Sequence, residues 1–395
     1  MAKYLTLVDI LRDRSQHLPN QVAYTFLSDG ETEAGCLTYR QLETQVRAIA
    51  AYLQSSIHPG DRVLVVYPYT AGLEFIASFF GCIYAGAIAV TTNPPSSNDD
   101  ITKLQERAES SQPKVILSTA LFSLHIRKKL EKNPTLAPSL KHLPWIATDQ
   151  IDLSYASQWV EPKIDSKTLA FFQHTSGSTG TPKGVMVTHG NVLHNSQVIH
   201  QAFEHNTDSQ GVSWLPMFHD MGLIGGVVQP LYGGFPVTLM SPVALIQKPI
   251  RWLKAISRYG ATTSGGPNFA YDLVVRRAIP EQLENLDLSR WSVAFSGAET
   301  VRAGTIERFA KIFAPYGFQR EAFYPCYGMA ETTLFITGGA KVSPPVIKEV
   351  DAEALAENRV IEGHGKSRSV VSCGWGRLGD EITIVDPDSH RQRSD

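Results

Sequence analysis

Residues 173–185 read Gln-His-Thr-Ser-Gly-Ser-Thr-Gly-Thr-Pro-Lys-Gly-Val, a loop rich in glycine and hydroxyl side chains. The loop lies between two apolar runs, 169–172 and 185–187, which predict strands. Glycine lets a backbone approach a ligand closely, and consecutive N–H groups, small hydroxyls and a lysine can surround phosphate oxygens. The stretch therefore predicts a phosphate-binding loop between two strands. A glycine-rich hairpin loop without a ligand is the alternative.

The residues of this stretch exclude two common nucleotide-binding loops. In a Walker A loop the lysine follows glycine and precedes serine or threonine, whereas Lys183 follows proline and precedes glycine. A dinucleotide-binding fingerprint needs Gly-x-Gly at the start of a helix and an acidic residue downstream, and the loop has neither.

Three further motifs follow the loop along the chain. They are Trp-Leu-Pro-Met-Phe-His-Asp-Met-Gly-Leu at 214–223, Ser-Gly-Ala-Glu at 296–299 and Tyr-Pro-Cys-Tyr-Gly-Met-Ala-Glu-Thr-Thr at 324–333. In order and spacing the four motifs resemble those of the adenylate-forming superfamily, which includes acyl-CoA synthetases, luciferases and peptide-synthetase adenylation domains. The resemblance covers residues 170 to 335. It implies that the chain is the large N-terminal domain of an enzyme that activates a carboxylate with ATP.

The alternation of strand-like and helical segments predicts an α/β fold with two doubly wound, mostly parallel sheets packed with helices. We expect a first α/β subdomain at 1–165 and a second at 166–337, which carries the phosphate loop and the motif for adenine and magnesium. Residues 338–395 are expected to hold an insertion and the start of a smaller, β-barrel-like subdomain.

Local patterns predict individual elements. Residues 38–54 are predicted to form a helix that begins with a capping box of Thr38 and Gln41. The other predicted helices cover 73–84 and 351–358, and the predicted strands cover 62–67, 87–92, 114–118 and 380–385, with further strands near residues 169, 211, 237, 261, 293 and 322.

Composition limits the class of protein. The 36 basic and 38 acidic residues nearly balance and give no electrostatic case for binding nucleic acid or an anionic membrane. The first apolar stretch carries charges, as a signal peptide does not, and no apolar run is long enough to cross a membrane. The cysteines lack metal-ligand spacing and are expected to be reduced thiols; they are Cys36, Cys82, Cys326 and Cys373. We expect a soluble, cytoplasmic protein.

The resemblance implies roles for residues in each motif. Phosphate contacts are expected from Thr175, Ser176, Gly177, Ser178, Thr179, Gly180 and Lys183. The adenine site is expected from Ser296, Gly297, Ala298, Glu299, Tyr327, Gly328, Met329, Ala330 and Thr332. Substrate contacts are expected from Met217, Phe218, His219, Met221, Gly222, Ile224, Gly265, Asn268 and Phe269.

Three of these residues are expected to take part directly in the reaction. Lys183 adds a positive charge at the phosphates, Glu331 is the candidate Mg²⁺ ligand, and His219 orients the carboxylate or gates the acyl tunnel. Each also has an ordinary interpretation, namely a solvated surface lysine, a carboxylate in a first helical turn and a structural histidine. Tyr327 and Phe269, taken alone, would be core residues.

Two segments favour one branch of the superfamily. Residues 338–372 resemble the insertion of fatty acyl-AMP ligases, and Pro-Asn-Phe-Ala-Tyr at 267–271 resembles the loading ligases of polyketide or olefin synthases. The resemblance implies that ATP and Mg²⁺ convert a fatty acid into acyl-AMP, which passes to an acyl carrier protein. The alternatives are an acyl-CoA synthetase and a non-catalytic nucleotide-binding or docking module; 338–372 would then be a variable surface loop.

Two functional elements of the superfamily have no counterpart after Ile384. One is a Thr-Gly-Asp motif that holds the ribose, and the other is a lysine on a small mobile C-terminal domain. We therefore expect that this domain is absent, and that the chain folds and binds acyl-adenylate or ATP weakly, with much reduced adenylation.

Overall fold

A computed structural model describes residues 4–133, 135–175, 183–363 and 366–393. Sixteen strands lie in these ranges: β1 (Val22–Leu27), β2 (Glu33–Thr38), β3 (Arg62–Val66), β4 (Ile88–Thr92), β5 (Val115–Ser118), β6 (Trp145–Ala147), β7 (Leu169–Thr175), β8 (Lys183–Thr188), β9 (Gly211–Ser213), β10 (Val237–Met240), β11 (Thr263–Gly265), β12 (Val293–Ser296), β13 (Phe323–Gly328), β14 (Phe335–Gly338), β15 (Ile347–Asp351) and β16 (Ser367–Val371).

The same ranges contain thirteen α-helices and one π-helix. They are α1 (Leu7–His17), α2 (Tyr39–Gln54), α3 (Gly72–Tyr84), α4 (Asn98–Ser111), α5 (Ala120–Lys132), α6 (Pro138–His142), α7 (His189–Ala202), the π-helix (Met221–Val228), α8 (Gln229–Gly233), α9 (Pro242–Gln247), α10 (Ile250–Tyr259), α11 (Asn268–Arg277), α12 (Ala303–Phe313) and α13 (Ala352–Ala356).

The predicted capping box starts α2. The Thr38 hydroxyl accepts a hydrogen bond from the Gln41 backbone N–H at 3.3 Å, and the Gln41 side-chain oxygen accepts one from the Thr38 N–H at 2.9 Å. These bonds satisfy N–H groups that a helix start leaves unpaired. The helix buries Leu42 and Val46 on its core side, as its apolar spacing predicts.

The strands form two mixed sheets, which confirms the predicted α/β class. The first has six strands in the order β6-β5-β3-β4-β7-β8, and only its edge pair β7–β8 is antiparallel. The second has eight strands in the order β14-β13-β12-β11-β9-β10-β1-β2, with antiparallel pairs at both edges. The other strands are parallel, as helical crossovers between them require.

The predicted division at residues 165/166 does not separate these sheets. Strands β1 and β2 pair into the second sheet, while β7 and β8, which follow residue 166, complete the first. Local periodicity identifies a strand but not its partner, because pairing is decided by contacts far apart in the chain.

The second sheet is buried on both faces. Successive residues of a strand point to opposite faces, and on β12 Val293 and Ala294 belong to two different core clusters. The Ala294 face packs against α10, α11 and α12 through aromatic side chains, including Trp252 and Trp291 with ring centroids 5.4 Å apart. The helices α7, α8 and the π-helix cover the Val293 face and enclose a cavity with it.

The segment after β14 contains a small antiparallel pair. Strand β15 pairs with β16 over the full length of both, and the short helix α13 begins after Asp351, whose carboxylate accepts from the N–H of Ala354 at 2.8 Å. The strand predicted at 380–385 is wrong. Its residues are exposed, and a single bridge between Val385 and Gln392 replaces a ladder, because the alternating side chains face no neighbouring sheet among the described residues.

Among the described residues, no helix combines the length and the apolar character that crossing a bilayer requires.

Candidate active site

A cavity of about 280 Å³ lies between the second sheet and the helices on its Val293 face. Residues of β9 to β13 line its sheet side, and residues of α7, the π-helix and α8 line its helical side. At one end Tyr327 and Met329 are 52% and 41% exposed, whereas at the other His205 and Gln229 are buried. The cavity therefore runs from a mouth at the surface to a closed floor.

The mouth lies at the carboxyl ends of parallel strands, where α/β sheets bind ligands. Gly297 and Ala298 follow β12, and Tyr327 and Gly328 end β13. A Cβ atom on Gly297 would lie 3.0 Å from the Cys326 carbonyl oxygen, so the backbone itself forms this wall. The exposed face of the Tyr327 ring is open to a flat ligand such as adenine.

Some of the other residues predicted for the adenine site line this cavity, and some do not. Met329 and Ala330 line the same cavity. Ser296 is buried, and its carbonyl accepts from the Cys326 thiol at 3.5 Å. Glu299 and Thr332 are exposed and are not among the described residues that line the cavity.

Strand register gives the depth of the cavity. Thr263, at the floor, pairs with Val293, and Gly297 at the mouth follows Val293 by four residues. At about 3.3 Å per residue, the cavity extends roughly 13 Å along the sheet.

The π-helix forms the inner wall. Gln229 N–H donates to the carbonyl of Ile224, five residues earlier, which is the π pattern. This wide turn directs Met221, Gly225 and Gln229 to the cavity. Regular α-helical spacing would place a different set of side chains there.

His219 lies near the mouth and is paired with its neighbour. Its Nδ1 is 2.6 Å from the Asp220 carboxylate, which also accepts from the Met221 N–H at 2.6 Å. The hydrogen bond to Asp220 raises the pKa of His219, against the opposing effect of partial burial. The imidazole is 58% exposed and can reach a bound ligand, whereas the Asp220 side chain is 10% exposed.

Buried hydrogen bonds position the turn before His219. The side-chain amide of Gln173 donates to the Phe218 carbonyl at 3.0 Å, and the Thr91 hydroxyl donates to it at 3.3 Å. Both donors belong to the first sheet, on β7 and β4. The two sheets together therefore place the histidine.

The remaining predicted substrate residues lie outside the described lining of the cavity, with the exception of Met221. Gly222 allows close packing, because a Cβ there would lie 2.0 Å from the Pro216 carbonyl oxygen, and Ile224 is buried in the core. Met217 and Phe218 line a separate cavity of about 30 Å³.

The residues predicted on β11 and α11 are structural in their contacts. A Cβ on Gly265 would lie 2.1 Å from the Phe295 carbonyl oxygen. Asn268 is buried, donates to the Thr300 carbonyl at 2.9 Å and accepts from the Arg302 N–H at 2.9 Å. Phe269 is 42% exposed, and its ring contacts Trp214 edge-on at 5.7 Å.

The predicted phosphate loop connects β7 to β8. Thr175 and Lys183 pair in the hairpin register at the two ends of the loop, whereas Ser176, Gly177, Ser178, Thr179 and Gly180 lie outside the described residues. Glu331 is exposed, on a short 3₁₀ turn after β13. It lines a second depression, of about 250 Å³, together with Val185 and Met186 of β8.

The residues around Glu331 fit Mg²⁺ held mainly by phosphate. Magnesium commonly uses one or two carboxylates together with substrate phosphates and water. Within the described ranges no cluster of three potential ligands occurs. A single exposed carboxylate beside the end of the predicted phosphate loop is compatible with that kind of site.

Several polar residues of the cavity were not predicted. They are Gln173, His174, His205, Gln229 and Thr263. Burial lowers the pKa of His174 to about 4 and that of His205 to about 3, so both imidazoles are neutral at pH 7. Gln173 and His174 begin the glycine-rich stretch. Thr263 lies just before Pro-Asn-Phe-Ala-Tyr at 267–271, whereas His205 and Gln229 belong to no local motif, and these three residues meet only through the tertiary fold.

The sequence profile of the AMP-binding enzyme family matches residues 11–395. This chain belongs to the AMP-binding enzyme family. Its relatives in that family include JamA of Moorena producens, a medium-chain-fatty-acid–acyl-carrier-protein ligase, which is 43% identical over 393 residues. TtuA of Teredinibacter turnerae, also a medium-chain-fatty-acid–acyl-carrier-protein ligase, is 35% identical over 419 residues.

The chain spans part of each relative. The alignments cover 98% of this chain and 66% of JamA, and 97% of this chain and 65% of TtuA. The crystal structure of a fatty acyl-adenylate ligase from L. pneumophila, in complex with acyl adenylate and pyrophosphate, is also similar. It has a TM-score of 0.90 and 43% identity, over 98% of this chain and 66% of that one.

Proposed function

We propose that this AMP-binding enzyme uses ATP to convert a fatty acid into acyl-AMP and then passes the acyl group to an acyl carrier protein. The observation that carries the proposal is one continuous cavity, which joins the adenine-wall motif at its mouth to an enclosed slot of largely apolar residues. The names of JamA and TtuA support the carrier protein as acceptor.

The first half-reaction joins two anions. A carboxylate oxygen of the fatty acid forms a bond to the α-phosphorus of ATP, and the bond from that phosphorus to the pyrophosphate oxygen breaks. Positive charge and oriented donors near the phosphates lower the barrier, because they stabilise charge that develops in the transition state. The raised pKa of His219 favours the imidazolium, which can donate to the carboxylate or to an α-phosphate oxygen.

Mg²⁺, when bound, would neutralise phosphate charge and polarise the phosphoryl group. Glu331 is the described residue best placed to hold it. The glycine-rich stretch would supply phosphate donors from its N–H groups, with Lys183 adding charge.

The acyl chain would occupy the inner part of the cavity. Ile199, Phe203, Val237 and Phe295 offer apolar surface there. Burial is worth about 0.8 kcal/mol per methylene, so roughly ten methylenes contribute about 8 kcal/mol before ordering costs. Binding of this size makes the fit of the chain a strong determinant of selectivity.

Product analysis tests the proposal. The protein is incubated with ATP, Mg²⁺ and fatty acids of six to twelve carbons, with and without coenzyme A, and the products are separated by liquid chromatography. We expect acyl-AMP in both reactions, transferred when a phosphopantetheinylated carrier protein is added. Acyl-CoA as the main product would identify a synthetase instead.

A binding measurement separates loss of catalysis from loss of the site. We expect the chain to bind a non-hydrolysable acyl-adenylate analogue in a calorimeter, and Tyr327→Ala to weaken that binding. A chain that binds no such analogue and releases no pyrophosphate would contradict the proposed function.

A further inference from the structure

A chain of buried polar groups crosses the floor of the cavity, where the proposed function places the end of an acyl chain. The Gln229 side-chain nitrogen lies 3.2 Å from His205 Nδ1, and His205 Nε2 lies 3.1 Å from the Thr263 hydroxyl oxygen. The three residues are 1%, 6% and 8% exposed. All of them line the cavity.

Hydrogen-bond direction fixes the tautomer of His205. If the Gln229 amide nitrogen donates to Nδ1, the imidazole proton is on Nε2 and donates to Thr263. Burial holds the pKa of His205 at about 3, so the ring is neutral and can accept and donate in this way.

One polar side-chain atom of Gln229 has no partner within this group of three residues. The Gln229 side-chain oxygen is buried and has no hydrogen-bond partner among the described residues. Leaving a buried amide oxygen unpaired is unfavourable. Exchanging the amide oxygen and nitrogen would leave the nitrogen unpaired instead, so either orientation calls for a polar ligand.

The charge of the surroundings restricts that ligand to a neutral group. Asp220 is the only carboxylate among the described lining residues, and it lies beside His219 near the mouth. Lysine and arginine are absent from the same described lining. An ammonium or carboxylate group at the floor would therefore be buried without a counter-ion, which is costly. A hydroxyl can both donate and accept.

We propose that the floor formed by Gln229, His205 and Thr263 is a subsite for a hydroxyl group at the distal end of the acyl chain, which makes hydroxylated fatty acids a preferred substrate class. This inference rests on the proposed function, because it assumes that an acyl-adenylate fills the cavity. It adds a specificity that an entirely apolar slot would lack. An apolar methyl terminus at the same depth leaves the Gln229 side-chain oxygen without a partner.

Paired adenylate analogues provide the test. Two series of non-hydrolysable acyl-adenylates are compared by calorimetry, one ending in methyl and one ending in hydroxyl, matched in number of heavy atoms from six to twelve. In the unmodified protein we expect one length at which the hydroxyl analogue binds at least as tightly as its methyl partner. Gln229→Leu should weaken hydroxyl binding about tenfold relative to methyl binding, the size of one net hydrogen bond.

Two further variants keep the test decisive. Thr263→Val is nearly isosteric, and we expect it to shift the same ratio in the same direction if Gln229→Leu fails to fold. Gln173→Leu removes a buried amide at the mouth and should affect both series equally. The subsite would be overturned if the methyl analogues bound more tightly at every length and the floor variants changed the ratio of hydroxyl to methyl affinity less than twofold. A bound water would then be the partner of Gln229. Binding of neither series would instead overturn the proposed function together with the subsite.

Discussion

Gly225 offers a direct way to shorten the proposed acyl slot. It lies on the cavity wall in the π-helix, between Met221 toward the mouth and Gln229 at the floor. A Cβ added there would meet only the Leu334 side chain, at 3.8 Å, which is ordinary contact. The side chain of Gly225→Leu should therefore enter the cavity without displacing the wall.

The expected effect depends on chain length. A leucine side chain takes the room of about three methylenes, and at about 0.8 kcal/mol each their loss weakens a long acyl-adenylate by about 2.4 kcal/mol, roughly fiftyfold in Kd. An analogue too short to pass Gly225 should keep its affinity within about twofold. Calorimetric titration with non-hydrolysable acyl-adenylates of four to twelve carbons measures both quantities.

Two controls test the reasoning. Gly225→Ala fills little of the slot and should give a small version of the same dependence. At the next position, a Cβ on Gly226 would lie 3.0 Å from the Ser213 hydroxyl, so Gly226→Leu should disturb the wall and weaken every analogue. If Gly225→Leu reduced affinity equally at all lengths, the acyl chain would not pass Gly225 and the assignment of the slot would be wrong.

Three other outcomes are expected. Asp220→Asn should lower the pKa of His219, which an NMR titration of the imidazole ring measures. In the unmodified protein the stabilisation from this pair should be present at low pH and should be lost as the pH rises through the raised pKa of His219. Burial lowers the pKa of His189 from 6.5 to about 4, so the unfolded state binds more protons at this site. The free energy of unfolding should therefore fall by about 2 kcal/mol between pH 7 and pH 5. His189→Asn should remove this pH dependence, as measured by urea unfolding. Thr38→Ala should cost about 1 kcal/mol of unfolding free energy by removing the cap of α2, whereas Thr44→Ala, on the exposed side of that helix, should cost less.

Local signals predicted most elements because those signals are short-range. The capping box of Thr38 marks the start of α2, and the apolar run before the glycine-rich loop marks β7. Gly297, Ala298 and Tyr327 lie in compact motifs and do line the mouth of the cavity, whereas their contact with adenine stays a prediction.

Features that depend on tertiary contacts were not predictable. The π-helix places Gly225 and Gly226 on the cavity wall, and nothing in its apolar sequence separates it from an α-helix. Of the neighbouring residues expected to contact substrate, Met221 lines the cavity but Gly222 and Ile224 do not. His205 meets Thr263 across 58 residues, a pairing that no local pattern contains.

The insertion of the first sheet between two groups of strands of the second has a consequence for how the molecule unfolds. The chain enters the second sheet with β1 and β2, builds the whole first sheet from β3 to β8, and returns to the second sheet with β9, so the first sheet is inserted between two parts of the second. One continuous core cluster includes Tyr24, Val63, Phe171 and Val237, which come from strands of both sheets. Because this shared core joins the two sheets, we expect them to unfold as one cooperative unit. Proteolysis between residues 165 and 166 would thus release no stable half.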